Sequence, residues 1–268
     1  MEFQKITSRS NDYIKEIVKL SDRKHREEKG KFCFEGRKLF EEAVKEGLPL
    51  EAVLVTEKHL PEFDGKNYPF KVFSVSREVY EKISYEKSPE GIFCVSKALD
   101  KLHILYIIYK GSVFNAPTVL LDGIRDPGNL GTILRTASAF GYENVIMSED
   151  CADVYNPKTI RASMGAVFRQ KTVRVRVLSD TVSALREGGY KIYSAALDKN
   201  AVSVKNIVAD SSVAFIIGNE GNGIRQAVID ASDGTVIIPM ESGTESLNAA
   251  SAATILLWEQ YSTLKAKY

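Results

Sequence analysis

The stretch Ala214-Phe215-Ile216-Ile217-Gly218-Asn219-Glu220-Gly221-Asn222-Gly223 decides how the rest of the chain is read. Its apolar start suits a buried strand, its glycines a turn in which backbone can approach a ligand closely, and a helix is expected to start near Ile224. Strand, glycine-rich turn and helix in that order mark the carboxyl edge of an open α/β sheet, where such sheets bind ligands. The glycine order is G-x-x-G-x-G, not the G-x-G-x-x-G of dinucleotide folds, and no G-K-[ST] occurs to cradle a phosphate. Glu241, twenty residues after Gly221, keeps an acidic ribose partner, and with it a nicotinamide enzyme, as an alternative.

Two other segments have the same character. Leu121-Asp122-Gly123-Ile124-Arg125-Asp126-Pro127-Gly128-Asn129 ends an apolar run in chain breakers, and residues 130–140 then read as a helix carrying Arg135. A planar, permanently charged guanidinium suits phosphate recognition, and a nearby helix amino terminus adds partial positive charge. The small or apolar neighbours Ile133, Leu134, Thr136, Ala137 and Ala139 predict a partly buried, functional Arg135. Ile237-Ile238-Pro239-Met240 predicts a strand stopped by proline, with apolar side chains that suit a flat adenine. Ser246-Leu247-Asn248 opens a terminal helix over 246–265, with Ser246 expected as its cap.

Outward from these segments the chain alternates. Strands are expected at 118–122, 144–147, 172–177, 190–195, 213–217 and 235–238, with helical patterns between most of them, which predicts a mostly parallel sheet covered by helices. The amino-terminal part reads as a smaller α/β module. It has helical spacing over 11–20, 36–47 and 77–83 and β-rich runs at 52–56, 71–75 and 92–96. Residues 106–117, with Gly111, Ser112, Asn115 and Pro117, read as the boundary, giving domains at 1–110 and 118–268.

Composition narrows the function classes. Thirty-six Lys and Arg against 35 Asp and Glu leave a net charge of +1, so no global field demands a polyanion. Locally, residues 23–38 hold seven basic and three acidic side chains, a candidate phosphate contact, with Phe32 and Phe34 as stacking surface or as alternate positions of a half-buried strand. Cys33, Cys94 and Cys151 form no paired framework and no zinc spacing, which points to a reducing compartment, the cytoplasm, and to no bound metal. The longest apolar run, residues 102–109, is too short to span a bilayer. His25, His59 and His103 all lie outside the carboxyl-terminal half and read as surface or packing residues.

The three blocks together resemble the SpoU (TrmH-like) RNA ribose methyltransferases of the SPOUT superfamily over about residues 118–264. They are Asn129-Leu130-Gly131-Thr132-Ile133-Leu134-Arg135-Thr136-Ala137, Gly218-Asn219-Glu220-Gly221-Asn222-Gly223, and Ile238-Pro239-Met240 with Ser246-Leu247-Asn248. Ala249 departs from the valine the family often has there. The resemblance implies a trefoil-knotted α/β domain that binds S-adenosyl-L-methionine, works as a homodimer and methylates a ribose 2′-hydroxyl in RNA, with large-subunit ribosomal RNA favoured. Threaded connections are essentially absent among folds, so the knot rests on the resemblance alone. Carried over by position, Gly218, Asn219, Ile238, Pro239, Met240 and Leu247 are cofactor residues. Arg135, Asn129, Glu220, Ser246 and Asn248 are the catalytic polar set. The amino-terminal module is similar to a ribosomal-protein-like substrate-binding domain, with Arg23, Lys24, Arg26 and Lys31 as RNA contacts. A transfer-RNA methyltransferase and a non-catalytic RNA-binding assembly factor are the alternatives.

Overall fold

Short polar side chains start several of the helices. In the computed structural model, which describes residues 3–99, 116–208, 210–241 and 246–265, Asn11 accepts from the amides of Tyr13 and Ile14 and opens α1 (Asp12–Lys19). Asp22 caps α2 (Arg23–Lys29) and Ser76 caps α4 (Arg77–Ile83), while α3 spans Arg37–Lys45. Each cap satisfies an amide that the first helical turn leaves without an intrahelical partner. The boundary expected at 106–117 falls largely outside the described residues, as do His103 and the apolar run 102–109.

The chain divides into two compact units. The first comprises Met1–Leu99 and Tyr155–Arg169. It contains a five-stranded mixed sheet ordered β1-β4-β3-β5-β2, from β1 (Gln4–Ile6), β2 (Lys31–Glu35), β3 (Leu50–Thr56), β4 (Lys71–Val75) and β5 (Ile92–Lys97). α1 and α4 cover one face through Ile14, Ile17, Val79 and Ile83, all buried. Residues 155–169, read from sequence as part of the second domain, belong here. Tyr155 stacks on Phe32 at 4.3 Å between centroids, and Phe168 lies 4.9 Å from Phe34.

Among the described residues, the second unit holds seven strands, all parallel, ordered β10-β12-β9-β11-β6-β7-β8. They are β6 (Thr118–Asp122), β7 (Asn144–Ser148), β8 (Lys171–Val175), β9 (Lys191–Ala195), β10 (Val202–Ser203), β11 (Val213–Gly218) and β12 (Gly234–Ile237). Between the first-unit helices α6 (Pro157–Ser163) and α7 (Ala166–Arg169) and the chain end lie α8 (Leu178–Glu187), α9 (Gln226–Ala231) and α10 (Ala249–Lys265); α5 (Pro127–Ala139) follows β6. Leu120, Ile146, Ile192, Ile216, Leu185 and Val228 form one buried layer between the sheet and α8 and α9. β6 and β11 are neighbours in register, Asp122 beside Gly218. The loop after β6 and the glycine-rich turn therefore leave the sheet side by side, at the edge where such sheets hold ligands. No helix among the described residues is long and apolar enough to cross a membrane.

Candidate functional site

The glycine-rich turn is closed by its own backbone. Asn219 N donates to Gly223 O at 3.0 Å and Gly223 N to Asn219 O at 2.9 Å. This folds the turn back so tightly that a Cβ on Gly218 would sit 2.5 Å from Gly223 C and 2.7 Å from Ile224 Cγ1. Close approach is thus what requires glycine at 218, whereas Gly223 has φ +66°, the left-handed region that glycine enters without strain. Asn219 fixes the rest: its Oδ1 accepts from the amides of Gly221 and Asn222, and its Nδ2 donates to Gly123 O at 2.9 Å. Asn219 lines the cleft, but its amide group is engaged by the loops that build it.

Beside this turn lies a cleft of about 340 Å³, with Gly218, Ile238, Met240, Ser246 and Leu247 in its walls. A backbone-lined floor and apolar walls suit a nucleoside cofactor: flat rings pack on the aliphatic side chains and backbone N–H and C=O groups meet their polar edges. Two details correct the sequence reading. β12 ends at Ile237, and Pro239 is exposed and not part of the wall, because its neighbours Ile238 and Met240 turn inward. Ala195 and Leu197, at the end of β9, complete the wall. They carry no motif, and their only sequence signal is their place at the carboxyl end of a predicted strand.

Three distant segments meet in one polar network. Asn129 Nδ2 donates to the Glu220 carboxylate, and Asn129 Oδ1 accepts from Asn248 Nδ2 at 3.1 Å. Asn129 is itself placed by Asp126, which caps α5 by accepting from the Asn129 amide at 2.8 Å. The terminal helix is capped by Asn248, not Ser246: Asn248 Oδ1 accepts from Ala250 N and Ser251 N, and α10 starts at Ala249. Ser246 instead stands in the cleft wall.

Arg135 is exposed, which corrects the expected partial burial. The core side of α5 is formed by Leu130, Ile133, Leu134 and Ala137, and the small neighbours of Arg135 leave it on the outer side with Thr132. No hydrogen bond or ion pair holds its guanidinium among the described residues.

A buried charge escaped the sequence. Asp122, 1% exposed, accepts from Arg225 N at 2.8 Å through Oδ2 and from Arg225 Nε at 2.8 Å through Oδ1, with Arg225 Nη2 also on Oδ1. The pair ties the end of β6 to the residue that leads out of the glycine turn. The hydrogen bonds that Arg225 donates to Asp122 raise its guanidinium above its ordinary value. Asp150 joins it: the hydrogen bond from Ser148 and the charge of Arg225 lower its carboxyl below the usual range. Asp122 is legible as an acid at the end of an apolar strand, but its partner lies 103 residues on.

The predicted RNA contacts fare unequally. Arg26 is withdrawn: it is 5% exposed and its guanidinium donates to Leu20 O at 2.8 Å and Ser21 O at 2.7 Å. Phe32 and Phe34 are buried, so they offer no stacking surface. Arg23 lies 2.8 Å from Glu27 and Lys31 2.6 Å from Glu51, and Lys24 reaches only to 4.0 Å from Glu28 with most of its side chain in solvent.

Comparison with known proteins places this geometry. Residues 116–258 match the SpoU rRNA Methylase family, and residues 11–94 match the MRM3-like substrate binding domain. The chain is 32% identical over 257 residues, 95% of its length and 98% of the relative's, to the 23S rRNA (guanosine(2553)-2′-O)-methyltransferase RlmP of Bacillus subtilis. Among solved structures, the AdoMet-bound rRNA methyltransferase from Sinorhizobium meliloti superposes with a TM-score of 0.84 at 27% identity, covering 98% of both chains. The SpoU methyltransferase AviRb from Streptomyces viridochromogenes, in complex with AdoMet, gives 0.79 at 27% identity over 96% of this chain and 100% of its own.

Proposed function

The chain belongs to the SpoU rRNA methylase family, and we propose that it methylates a ribose 2′-hydroxyl of large-subunit ribosomal RNA with S-adenosylmethionine, at the guanosine corresponding to the one its Bacillus relative's name specifies. The observation that carries this reading is the Asn248–Asn129–Glu220 network beside the Gly218 cleft, since all three family blocks converge on it. Gly218, Ile238, Met240 and Leu247 are the residues that hold the cofactor, which supplies an electrophilic methyl group. Asn129, held from two sides, fixes the start of α5 against the glycine turn and so sets the place of Arg135. Arginine side chains stay protonated in proteins, so Arg135 acts as a clamp on the phosphate next to the target ribose and stabilises negative charge developing on the 2′-oxygen. Catalysis then comes chiefly from holding two substrates in line.

The same proposal includes a homodimer. Trp258, 50% exposed, packs with Phe140 and Tyr261, and Ile255 is exposed on the same helix, an apolar patch of the kind that partner surfaces cover. It also includes the trefoil knot, and a cytoplasmic location in keeping with three buried free cysteines. Arg23, Lys24 and Lys31 remain proposed RNA contacts.

The test is calorimetric titration with S-adenosylmethionine and nicotinamide dinucleotides, followed by mapping of 2′-O-methylation on a 23S transcript. Saturable binding of S-adenosylmethionine alone and a new methyl group that disappears in Arg135→Ala are expected. Binding without methylation of any ribosomal transcript would overturn the substrate, and full turnover by Arg135→Lys would overturn the bidentate clamp.

A further inference from the structure

The first unit has a cleft of its own, about 860 Å³, bounded by α1, β4 and residues 68–70. Four aromatic rings stand in its walls. Tyr68 and Phe70 stack at 4.7 Å with 22° between their planes, and Tyr13 packs against Phe73 at 5.5 Å with the rings tilted by 42°. Tyr13, Tyr68 and Phe70 are only half-buried, so ring surface remains for another molecule.

Its charge is positive. Lys71 and Lys97 are exposed in this wall, and neither ammonium has an ion-pair partner among the described residues. The one carboxylate in the wall, Glu51, is held by Lys31 at 2.6 Å. Lys31 and Lys97 stand directly opposite each other in the β2–β5 register, an arrangement that is destabilising for like charges. Glu51 neutralises one of the two and leaves the other for an anion.

We propose that this cleft is a stacking subsite for an unpaired nucleotide of the RNA substrate, its base on the Tyr68–Phe70 platform and the adjoining phosphates on Lys71 and Lys97; this rests on the reading of RNA as the substrate. Aromatic faces beside lysines select strand over duplex, because only an unpaired base has a free π-face. The cleft accordingly positions RNA through its looped or single-stranded part.

Fluorescence anisotropy on the full chain tests this, with a labelled oligouridylate and a fully paired RNA duplex of equal length over a salt series. Wild type is expected to prefer the strand by about tenfold. Lys71→Gln with Lys97→Gln is expected to weaken strand binding about tenfold and to reduce the slope of log affinity against log salt by about 1.4. Phe70→Leu keeps an apolar side chain and is expected to abolish the strand preference while leaving thermal melting and duplex affinity in place. Variants that retain wild-type strand affinity and slope, or a wild type without strand preference, overturn the subsite. S-adenosylmethionine titration and methylation of a 23S transcript, run on the same samples, separate the two readings. Intact methylation with unaltered strand binding refutes the cleft alone; absent methylation in wild type, with cleft-dependent strand binding, refutes the enzymatic reading alone.

Discussion

The floor of the cleft at Gly218 is made of backbone, whereas the cleft beside Tyr68 is made of side chains. In the first, the turn from Asn219 to Gly223 is closed by two main-chain hydrogen bonds, and a Cβ added at Gly218 would run into main-chain atoms of Gly223. In the second, stacked rings and ammonium groups project from α1, β4, β5 and the loop before β4. Backbone cannot yield to an added atom, so the first site tolerates little and leaves a rigid spacing in the sequence. Side chains can repack, so the second tolerates exchange and leaves no motif.

The sharpest way to break this comparison is Gly218→Val. With a Cβ only 2.5 Å from Gly223 C, the turn must open, and affinity for S-adenosylmethionine is expected to fall by at least about a hundredfold, roughly 2.7 kcal/mol, in calorimetry. Near-wild-type affinity would mean that the turn is as pliable as the aromatic cleft. Arg135→Ala comes next in size. Because the side chain is exposed and unpartnered among the described residues, turnover is expected to drop about a hundredfold while melting stays within about 0.5 kcal/mol of wild type and cofactor affinity is kept. A matching loss of stability would show that Arg135 is structural.

Asp122→Asn sharpens the comparison from beneath the turn. Asp122 is buried but Arg225 is half exposed, so the expected cost is about 2 kcal/mol in urea unfolding, well below that of a fully buried pair, together with weaker cofactor binding. The smallest effect belongs to the side-chain-built unit. Hydrogen bonds from Arg37, then His59, lower the Glu62 carboxyl from 4.5 to about 2. A carboxyl depressed in the folded state stabilises above its unfolded value and loses that contribution as pH falls through the folded one, so the window is about pH 4.5 down to 2. Glu62→Gln should flatten the stability profile in that window by less than about 1 kcal/mol, because the pair is solvent-screened. A profile unchanged from wild type would remove the Arg37–Glu62 pair as a source of acid sensitivity.

How much was legible follows the same division. Strand alternation placed β6 through β9, β11 and β12 to within a few residues, while β10, only two residues long, carried too little pattern. α2 lacks any apolar stripe in Arg23–Lys29 and therefore read as a charged run; what anchors it is Arg26, whose burial depends on the carbonyls of Leu20 and Ser21. Proline at 239 was rightly read as a stop, yet its side chain faces away from the cleft.

The sequence by itself determined the order of strand, glycine turn and helix, and with it the family and cofactor class, because backbone conformation and close approach depend on which residues are glycine at fixed local spacings. Only the tertiary structure decided that Asn129 meets Glu220 and Asn248, that Asn248 caps the last helix, that Asp122 holds Arg225, and that Arg26 is buried while Arg135 is exposed. Burial and partnership are properties of side chains brought together from segments far apart in the chain. Local spacing carries no record of them, whereas packing fixes them once the sheet order is set.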